Sequence, residues 1–188
     1  MCYYFSLIKK MFLCMNISSV NSCYFQSPIQ GSIPEDLDHL KDLDIGTVKR
    51  LLDQSSEAVL WNHFLIGQAE LYFRNYDEKW LSQQSWWQSA RNVLEIGSGN
   101  GHYLSLIQSH FPEKTVEGVD YNPDYVEKAS GRYPHIAFSL GNAQEELSKE
   151  EGSFDVVFLR YTLSWLTDPM KALELAQRYI KPGGRKWS

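Results

Sequence analysis

A glycine-rich turn between a predicted strand and a predicted helix constrains this chain more than any other feature. The apolar run at residues 93–96 passes directly into Gly97, Gly99 and Gly101, and a helical pattern follows. Glycine has no Cβ, so a turn of this kind lets a ligand approach the backbone. The N–H groups at the helix start also point towards that ligand. A tight turn that binds no ligand is the alternative interpretation.

The residues around this turn predict an α/β fold. From residue 91 onwards, short β-like runs alternate with helical runs, which is the pattern of a parallel sheet covered by helices. Asn122-Pro123 and Asp168-Pro169 are typical helix starts, because the first residue caps the helix and proline fits its first position. The predicted strands are Asn92–Ile96, Thr115–Val119, His135–Leu140 and Phe154–Leu159, and the predicted helices span residues 101–110, 123–132, 144–150 and 169–180.

The chain divides into three predicted regions, of which residues 91–188 are the α/β core. Residues 1–34 lack periodicity, and we interpret them as an atypical, poorly ordered extension, with a targeting segment as the alternative. Residues 35–90 are predicted to form a helical cap region. Three helices are predicted in this region. The first contains Leu37, Leu40 and Leu43, the second spans residues 55–72, and the third spans residues 77–87.

The composition argues against several classes of function. The net charge of -5 does not suggest a broad basic surface for nucleic acid. No apolar run reaches the roughly 18 residues that a membrane-spanning helix needs. The histidines lack metal-ligand spacing, so no metal is predicted. The cysteines Cys2, Cys14 and Cys23 all precede the predicted core, which fits a reducing compartment or simple indifference to redox conditions. We predict a cytoplasmic protein.

Polar side chains follow two further strands at the edge where the glycine turn lies. Asp120 ends the second strand, where its carboxylate is suited to accept hydrogen bonds from both hydroxyls of a ribose. Asn122 already explains the start of the next helix, so Asp120 is not needed as its cap. Asn142 and Ala143 follow the third strand, and the Asn142 carbonyl is suited to an exocyclic amine. A turn role for Asn142 is the alternative.

These motifs, in this order, resemble the class I S-adenosylmethionine-dependent methyltransferases. Glu95 and the G-x-G-x-G spacing of residues 97–101 resemble the family's motif I. Residues 159–169 resemble motif IV and its following loop in small-molecule methyltransferases, and Lys181-Pro182-Gly183-Gly184 resembles the approach to the fifth strand. The resemblance covers roughly residues 72–186 and implies a Rossmann-like parallel sheet.

A dinucleotide-dependent oxidoreductase fits this turn poorly. The dinucleotide fingerprint requires a third glycine or an alanine at the position of His102, and Gly101 comes one residue too early for it. His102 itself is expected in the first helical turn, in a solvated position.

The resemblance implies S-adenosylmethionine as cofactor and methyl transfer by in-line attack on its sulfonium methyl group. Glu95 would orient the methionyl amino group, the glycines would admit the cofactor to the backbone, Asp120 would hold the ribose, and Asn142 with Ala143 would meet the adenine. The full set of implied cofactor-binding residues is Glu95, Gly97, Ser98, Gly99, Gly101, Asp120, Tyr121, Asn142, Ala143 and Arg160.

The resemblance implies a small-molecule acceptor, with a protein or a lipid acceptor as the alternatives, and assigns no catalytic residue. Many relatives have a histidine where Trp165 stands, so a histidine base does not carry over. An aromatic face near the sulfonium would be stabilising by roughly 0.5–2 kcal/mol. Tyr76, Tyr161 and Trp165 are candidates for that face, with a packing role as the alternative.

The short sequence after Gly184 predicts an incomplete sheet. Methyltransferases of this class have seven strands, and only Arg185-Lys186-Trp187-Ser188 follows Gly184. We therefore expect a truncated chain with little methyl transfer, in which the fifth strand is barely begun and the fourth strand is an open edge. A non-catalytic remnant that binds the cofactor, or a protein partner through the open edge, is the alternative function.

Overall fold

The computed structural model describes residues 57–187 and the side chains of residues 59–183. The chain divides into two compact units, residues 1–68 and 69–188. In the first unit, the described residues 57–68 are helical and belong to α1 (Glu57–Tyr72). The predicted helix around Leu37 and the extension over residues 1–34 lie outside the described residues. The region boundaries at residues 34 and 90 stay a prediction.

The second unit is a parallel sheet with flanking helices, which confirms the predicted Rossmann-like α/β fold. The order of the five strands is β3-β2-β1-β4-β5, and every neighbouring pair is parallel. The strands are β1 (Asn92–Ile96), β2 (Thr115–Asp120), β3 (Ala137–Leu140), β4 (Phe154–Phe158) and β5 (Ile180–Trp187). The helices after α1 are a π-helical turn (Phe73–Asp77), α2 (Glu78–Ser82), α3 (Ser85–Ser89), α4 (His102–His110), α5 (Pro123–Arg132), a 3-10 turn (Leu163–Trp165) and α6 (Pro169–Arg178).

The core lies on both faces of this sheet, because successive strand residues point in opposite directions. Val93, Val156 and Phe158 pack in one buried cluster with residues of α4. Leu94 and Val157 belong to a second cluster that contains Ala172 and Ala176 of α6. Burial on both faces explains why the strands read as continuous apolar runs in the sequence.

Two predicted helix starts are confirmed in atomic detail. The Asn122 side chain accepts a hydrogen bond from the backbone N–H of Asp124 at 3.0 Å, and α5 begins at Pro123. The Asp168 side chain accepts from the N–H of Lys171 at 3.0 Å, and α6 begins at the following proline. Caps are local interactions, so the sequence alone contains the signal.

Two predicted helical segments are wrong. Residues 144–150 form turns rather than a helix. There, the backbone N–H of Leu147 donates to the Tyr179 hydroxyl at 2.7 Å, a tertiary contact in place of a helical one. Residues 77–87 do not form one helix either, because α2 ends at Ser82 and α3 starts at Ser85. The last predicted helix ends at Arg178, since β5 begins at Ile180.

The expected open edge at β4 is also wrong. β5 pairs with β4 along its whole length, from Phe154 with Ile180 to Phe158 with Trp187. The register shifts between Phe154 and Val156, so β5 contains an irregularity where Pro182 and Gly183 lie. Proline lacks an N–H for the ladder and Gly183 has φ +86°, so this stretch bulges without ending the strand. Within residues 57–187, no helix combines the length and apolar character needed to cross a bilayer.

Candidate functional site

The glycine-rich turn is held against the end of β2. The backbone N–H groups of Gly97 and Ser98 both donate to the Val119 carbonyl oxygen, at 2.7 Å and 3.0 Å. Gly97, Gly99 and Gly101 have φ angles of +81°, +54° and +75°, values that favour glycine over any residue with a Cβ. The backbone path therefore depends on the three glycines.

Space as well as backbone conformation requires glycine at two of these positions. A Cβ on Gly97 would clash with the Thr162 side chain, which donates a hydrogen bond from Oγ1 to the Ile96 carbonyl at 3.1 Å. A Cβ on Gly101 would clash with the ring of Phe138. The turn is thus closely packed on both sides, and its shape is imposed by neighbouring strands.

Glu95 lies at the end of β1 with its side chain buried. It is 2% exposed, and its Oε2 atom has no hydrogen-bond partner. Its Oε1 atom lies 3.7 Å from an Arg160 nitrogen. Burial raises the pKa of Glu95 to about 7, although the Arg160 charge lowers it, and the Asp120 carboxylate raises it further. A buried carboxylate oxygen without a partner is costly, which points to a hydrogen-bond donor that binds there.

Asp120 ties the end of β2 to the glycine turn. Its Oδ2 atom accepts the Gly99 N–H at 2.7 Å, and its Oδ1 atom accepts the Asn122 N–H at 2.9 Å. Burial raises the pKa of Asp120, and the backbone hydrogen bonds from Asn122, Gly99 and Tyr121 partly oppose that shift. Each carboxylate oxygen keeps a further lone pair, so two ligand hydroxyls remain possible partners.

Arg160 follows β4, and its guanidinium lies close to both Glu95 of β1 and Asp77 of the π-helical turn. Its guanidinium carbon lies 3.1 Å from the centre of the Tyr103 ring, and one nitrogen lies 4.0 Å from Asp77 Oδ2. The Tyr103 hydroxyl donates to the same Asp77 oxygen at 3.1 Å. Asp77 and Tyr103 were not anticipated from the sequence. No local motif marks them, because residues far apart in the chain form this cluster.

The other residues predicted to bind the cofactor differ from one another in burial and in hydrogen bonding. The Ser98 hydroxyl is buried without a hydrogen-bond partner, and Ala143 is buried. Tyr121 is 76% exposed. Asn142 has the geometry of a turn residue, since its Oδ1 atom accepts the Gln144 N–H at 3.0 Å. Its amide nitrogen donates to Glu145, also at 3.0 Å, so the turn role is fulfilled whether or not a ligand binds.

His102 is not in the solvated position that the sequence suggested. One ring nitrogen lies 2.7 Å from the Tyr133 hydroxyl and the other lies 2.9 Å from Glu70 Oε1. Burial lowers the pKa of His102, and Glu70 opposes that shift. The imidazole therefore links the first turn of α4 to residues 70 and 133. No sequence pattern signals this role, because both partners are distant along the chain.

The aromatic candidates near this edge lie at the surface. Tyr76, Tyr161 and Trp165 are all more than half exposed. The ring centres of Tyr76 and Tyr161 lie 6.2 Å and 5.9 Å from that of Tyr72. Tyr161 has φ +53°, an uncommon value for a residue with a side chain. Their exposure shows that none of the three is a core residue, and the Arg160 guanidinium lies over the Tyr161 ring at 5.5 Å from its centre.

The fold and this edge together define a Rossmann-like cofactor-binding domain of the methyltransferase class. Residues 93–184 match a family model described as a methyltransferase domain. Over these residues, just under half of the chain, it is similar to the class I S-adenosylmethionine-dependent methyltransferases. The unpartnered Glu95 oxygen and the closely packed glycine turn fit that family's cofactor.

Known proteins are similar over part of their length. Trans-aconitate 2-methyltransferase of Deinococcus radiodurans is 33% identical over 93 residues, covering 49% of this chain and 34% of that protein. Malonyl-(acyl-carrier protein) O-methyltransferase of Hahella chejuensis is 29% identical over 96 residues, covering 50% of this chain and 34% of that protein. The chain thus spans about a third of the length of these curated relatives.

The structural comparison supports the fold. The structure of an O-methyltransferase family protein from Burkholderia thailandensis superimposes with a TM-score of 0.56 at 21% identity. The match covers 69% of this chain and 41% of that one. At 21% identity, the comparison shows a shared arrangement of strands and helices and nothing beyond the fold.

Proposed function

We propose that this chain binds S-adenosylmethionine at the edge formed by the ends of β1, β2 and β4, and transfers its methyl group to a small-molecule acceptor. The observation that carries the proposal is the Glu95 Oε2 atom, buried beside the glycine turn without a hydrogen-bond partner. The names of the curated relatives, which refer to trans-aconitate and malonyl-(acyl-carrier protein), support a small acceptor group.

The proposed contacts follow from the groups at this edge. Glu95 accepts a hydrogen bond from the methionyl ammonium group, and the cofactor lies against the backbone of the turn that Gly97, Gly99 and Gly101 form. At Gly97 and Gly101 the missing Cβ makes room for Thr162 and Phe138, so these two glycines act by shaping the turn. Asp120 accepts hydrogen bonds from the ribose hydroxyls through the lone pairs that its backbone donors leave free. The remaining proposed contacts are Asn142 and Ala143 at the adenine, with Ser98, Tyr121 and Arg160 completing the cofactor-binding set.

The protein's proposed contribution is alignment. Bound S-adenosylmethionine supplies an activated methyl group on a positively charged sulfonium. Holding the donor and acceptor in reactive geometry is worth about 7–11 kcal/mol in well-oriented systems. The exposed rings of Tyr76, Tyr161 and Trp165 are proposed to lie beside the sulfonium or the acceptor. We assign no general base, because an activated donor does not require one for every acceptor.

Calorimetry with S-adenosylhomocysteine tests the binding site. We expect Asp120→Ala to weaken binding at least tenfold, because one good charge-assisted hydrogen bond is worth roughly 1.5–3 kcal/mol. Asp124→Ala is the matched control, since it removes an exposed carboxylate in the first turn of α5. Equal affinities of the Asp120→Ala variant and the wild type would refute the ribose assignment.

Two further measurements test the function itself. Absence of S-adenosylhomocysteine binding by the wild-type chain, or preferential binding of NADH, would contradict the proposed cofactor. Methyl transfer is measured with methyl-labelled S-adenosylmethionine and pools of small carboxylic acids, amines and hydroxyl compounds. Label in a small-molecule product would support transfer by this chain and would contradict the expectation of little methyl transfer drawn from the sequence. Cofactor binding without transfer to any pool would favour a non-catalytic binding role.

The proposal includes a cytoplasmic location. It is supported by the confinement of Cys2, Cys14 and Cys23 to the first part of the chain, the pattern used above to predict a reducing compartment. Subcellular fractionation of the tagged chain tests this point independently of methyl transfer.

A further inference from the structure

The Glu95 carboxylate has a charge partner but keeps one oxygen open. Arg160 approaches only Oε1, at 3.7 Å, which is longer than a hydrogen bond. Oε2 has no hydrogen-bond partner. Arg160 thus provides positive charge beside Glu95 without a hydrogen bond to Oε2. This differs from a bidentate arginine–carboxylate pair, in which both oxygens accept hydrogen bonds.

Arg160 is held in this position by groups other than Glu95. Its guanidinium lies on the face of the Tyr103 ring at 3.1 Å from the ring centre, and its side chain is 11% exposed. Asp77 lies 4.0 Å from a second guanidinium nitrogen and also accepts a hydrogen bond from Tyr103. A cation over an aromatic face is stabilised by the ring's quadrupole. The arginine is therefore fixed by α4 and the π-helical turn.

The charged and titratable groups around Glu95 come from four elements. Arg160 follows β4, Asp120 ends β2, Tyr103 belongs to α4, and Asp77 ends the π-helical turn. Arg160 is the only cation among these four groups. Without it, a buried Glu95 would face carboxylates and a phenol and would retain its proton to a higher pH.

We propose that Arg160 is a positioning residue for the cofactor, one that favours the ionised form of Glu95 while leaving Oε2 free to accept a hydrogen bond from the methionyl ammonium group. The inference rests on the proposed function, because that ammonium belongs to the proposed cofactor. It assigns Arg160 an indirect role in addition to any direct contact. It also gives Tyr103 and Asp77 a function, since they place the guanidinium at a distance from which it stabilises charge without blocking the oxygen.

The test is the pH dependence of S-adenosylhomocysteine affinity between pH 6 and pH 9, measured by calorimetry on the full chain. In the wild type we expect affinity to fall below a midpoint near pH 7, where Glu95 becomes protonated. In Arg160→Met we expect the midpoint to rise by about one pH unit or more, because an opposite charge at this range lowers a carboxyl pKa by roughly 1–3. Arg160→Lys keeps the charge and should restore most of the wild-type profile.

Lys181→Met is the matched control. It also removes a cation that pairs with a carboxylate, since Lys181 Nζ lies 3.0 Å from Asp155 Oδ1, but this pair is at the start of β4. We expect it to leave the midpoint unchanged. An NMR titration of the Glu95 carboxyl carbon in the ligand-free wild type and the Arg160→Lys variant follows the same ionisation without cofactor.

The outcomes separate this inference from the proposed function. A wild-type chain that binds no S-adenosylhomocysteine refutes the function. A uniform loss of affinity across the pH range in folded Arg160→Met refutes the positioning role and leaves Arg160 a direct contact or a structural role. If Arg160→Met does not fold, as judged by near-ultraviolet circular dichroism, Arg160→Lys decides. A Glu95 titration and an affinity close to those of the wild type in Arg160→Lys support the inference. An unchanged Glu95 titration with affinity lost across the whole pH range in Arg160→Lys overturns it.

Discussion

Replacing Glu95 with glutamine should stabilise the ligand-free protein while weakening cofactor binding. Glu95 is buried, its Oε2 atom has no partner, and its pKa is raised from 4.5 to about 7. A carboxyl group whose pKa is raised in the folded state stabilises the fold fully only below its unfolded pKa. That stabilisation is lost as the pH rises from about 4.5 to about 7. Glutamine resembles the neutral form and therefore avoids the loss.

The magnitude follows from the two pKa values. A tenfold change in proton affinity corresponds to about 1.4 kcal/mol, so raising the pKa from 4.5 to about 7 costs about 3 kcal/mol once the pH exceeds both values. At pH 8 we expect Glu95→Gln to raise the free energy of unfolding by up to about 3 kcal/mol. At pH 5 the gain should fall below about 1 kcal/mol, because the folded wild type then carries the neutral carboxyl group.

Urea unfolding at pH 5 and pH 8, followed by tryptophan fluorescence, measures both values. Glu127→Gln, on an exposed position of α5, controls for the loss of one negative charge and should change the stability little at either pH. Calorimetry on Glu95→Gln should show at least a tenfold loss of S-adenosylhomocysteine affinity, since the charge-assisted hydrogen bond is removed. Equal or lower stability of Glu95→Gln at pH 8 would refute the claim that burial of the ionised carboxylate is costly.

Two other substitutions test how the glycine-rich turn and the core are built. Gly101→Ala should cost at least about 1–3 kcal/mol of unfolding free energy, because φ is +75° and the added Cβ would clash with Phe138; thermal unfolding measures this, and wild-type stability would contradict the packing. Lys114→Met should cost about 1–3 kcal/mol, because the buried Lys114 Nζ donates to the carbonyl oxygens of Trp87 and Ala90 at 2.7 Å and 3.1 Å. Urea unfolding tests the second prediction, and an unchanged midpoint would show that other donors replace the ammonium group.

Local sequence patterns determined most of the regular elements of the second unit. β1 and α5 have the predicted bounds, Asn92–Ile96 and residues 123–132. Apolar runs and caps act between near neighbours, so they are visible in one sequence. The segments that failed depended on distant partners. Residues 144–150 exchange helical hydrogen bonds for a contact with Tyr179, and β5 forms where β4 offers an edge to pair with.

The residues of the candidate site also fall into those that local sequence patterns indicate and those that only distant contacts bring together. Local patterns pointed to the glycines of the turn and to Asp120, because these residues immediately follow or end predicted strands, and the resemblance to motif I added Glu95. The sequence could not predict that Arg160 lies on Tyr103 beside Asp77, or that His102 bridges Glu70 and Tyr133.

The sequence by itself therefore determined where we propose that a cofactor meets the chain, through glycines and strand ends whose spacing is local. Only the tertiary structure decided the electrostatic environment of Glu95. Its burial, its pKa and its open oxygen depend on charges brought together by strand order and helix packing. Such charges interact through space over a few ångströms, and no periodicity in the sequence records that proximity.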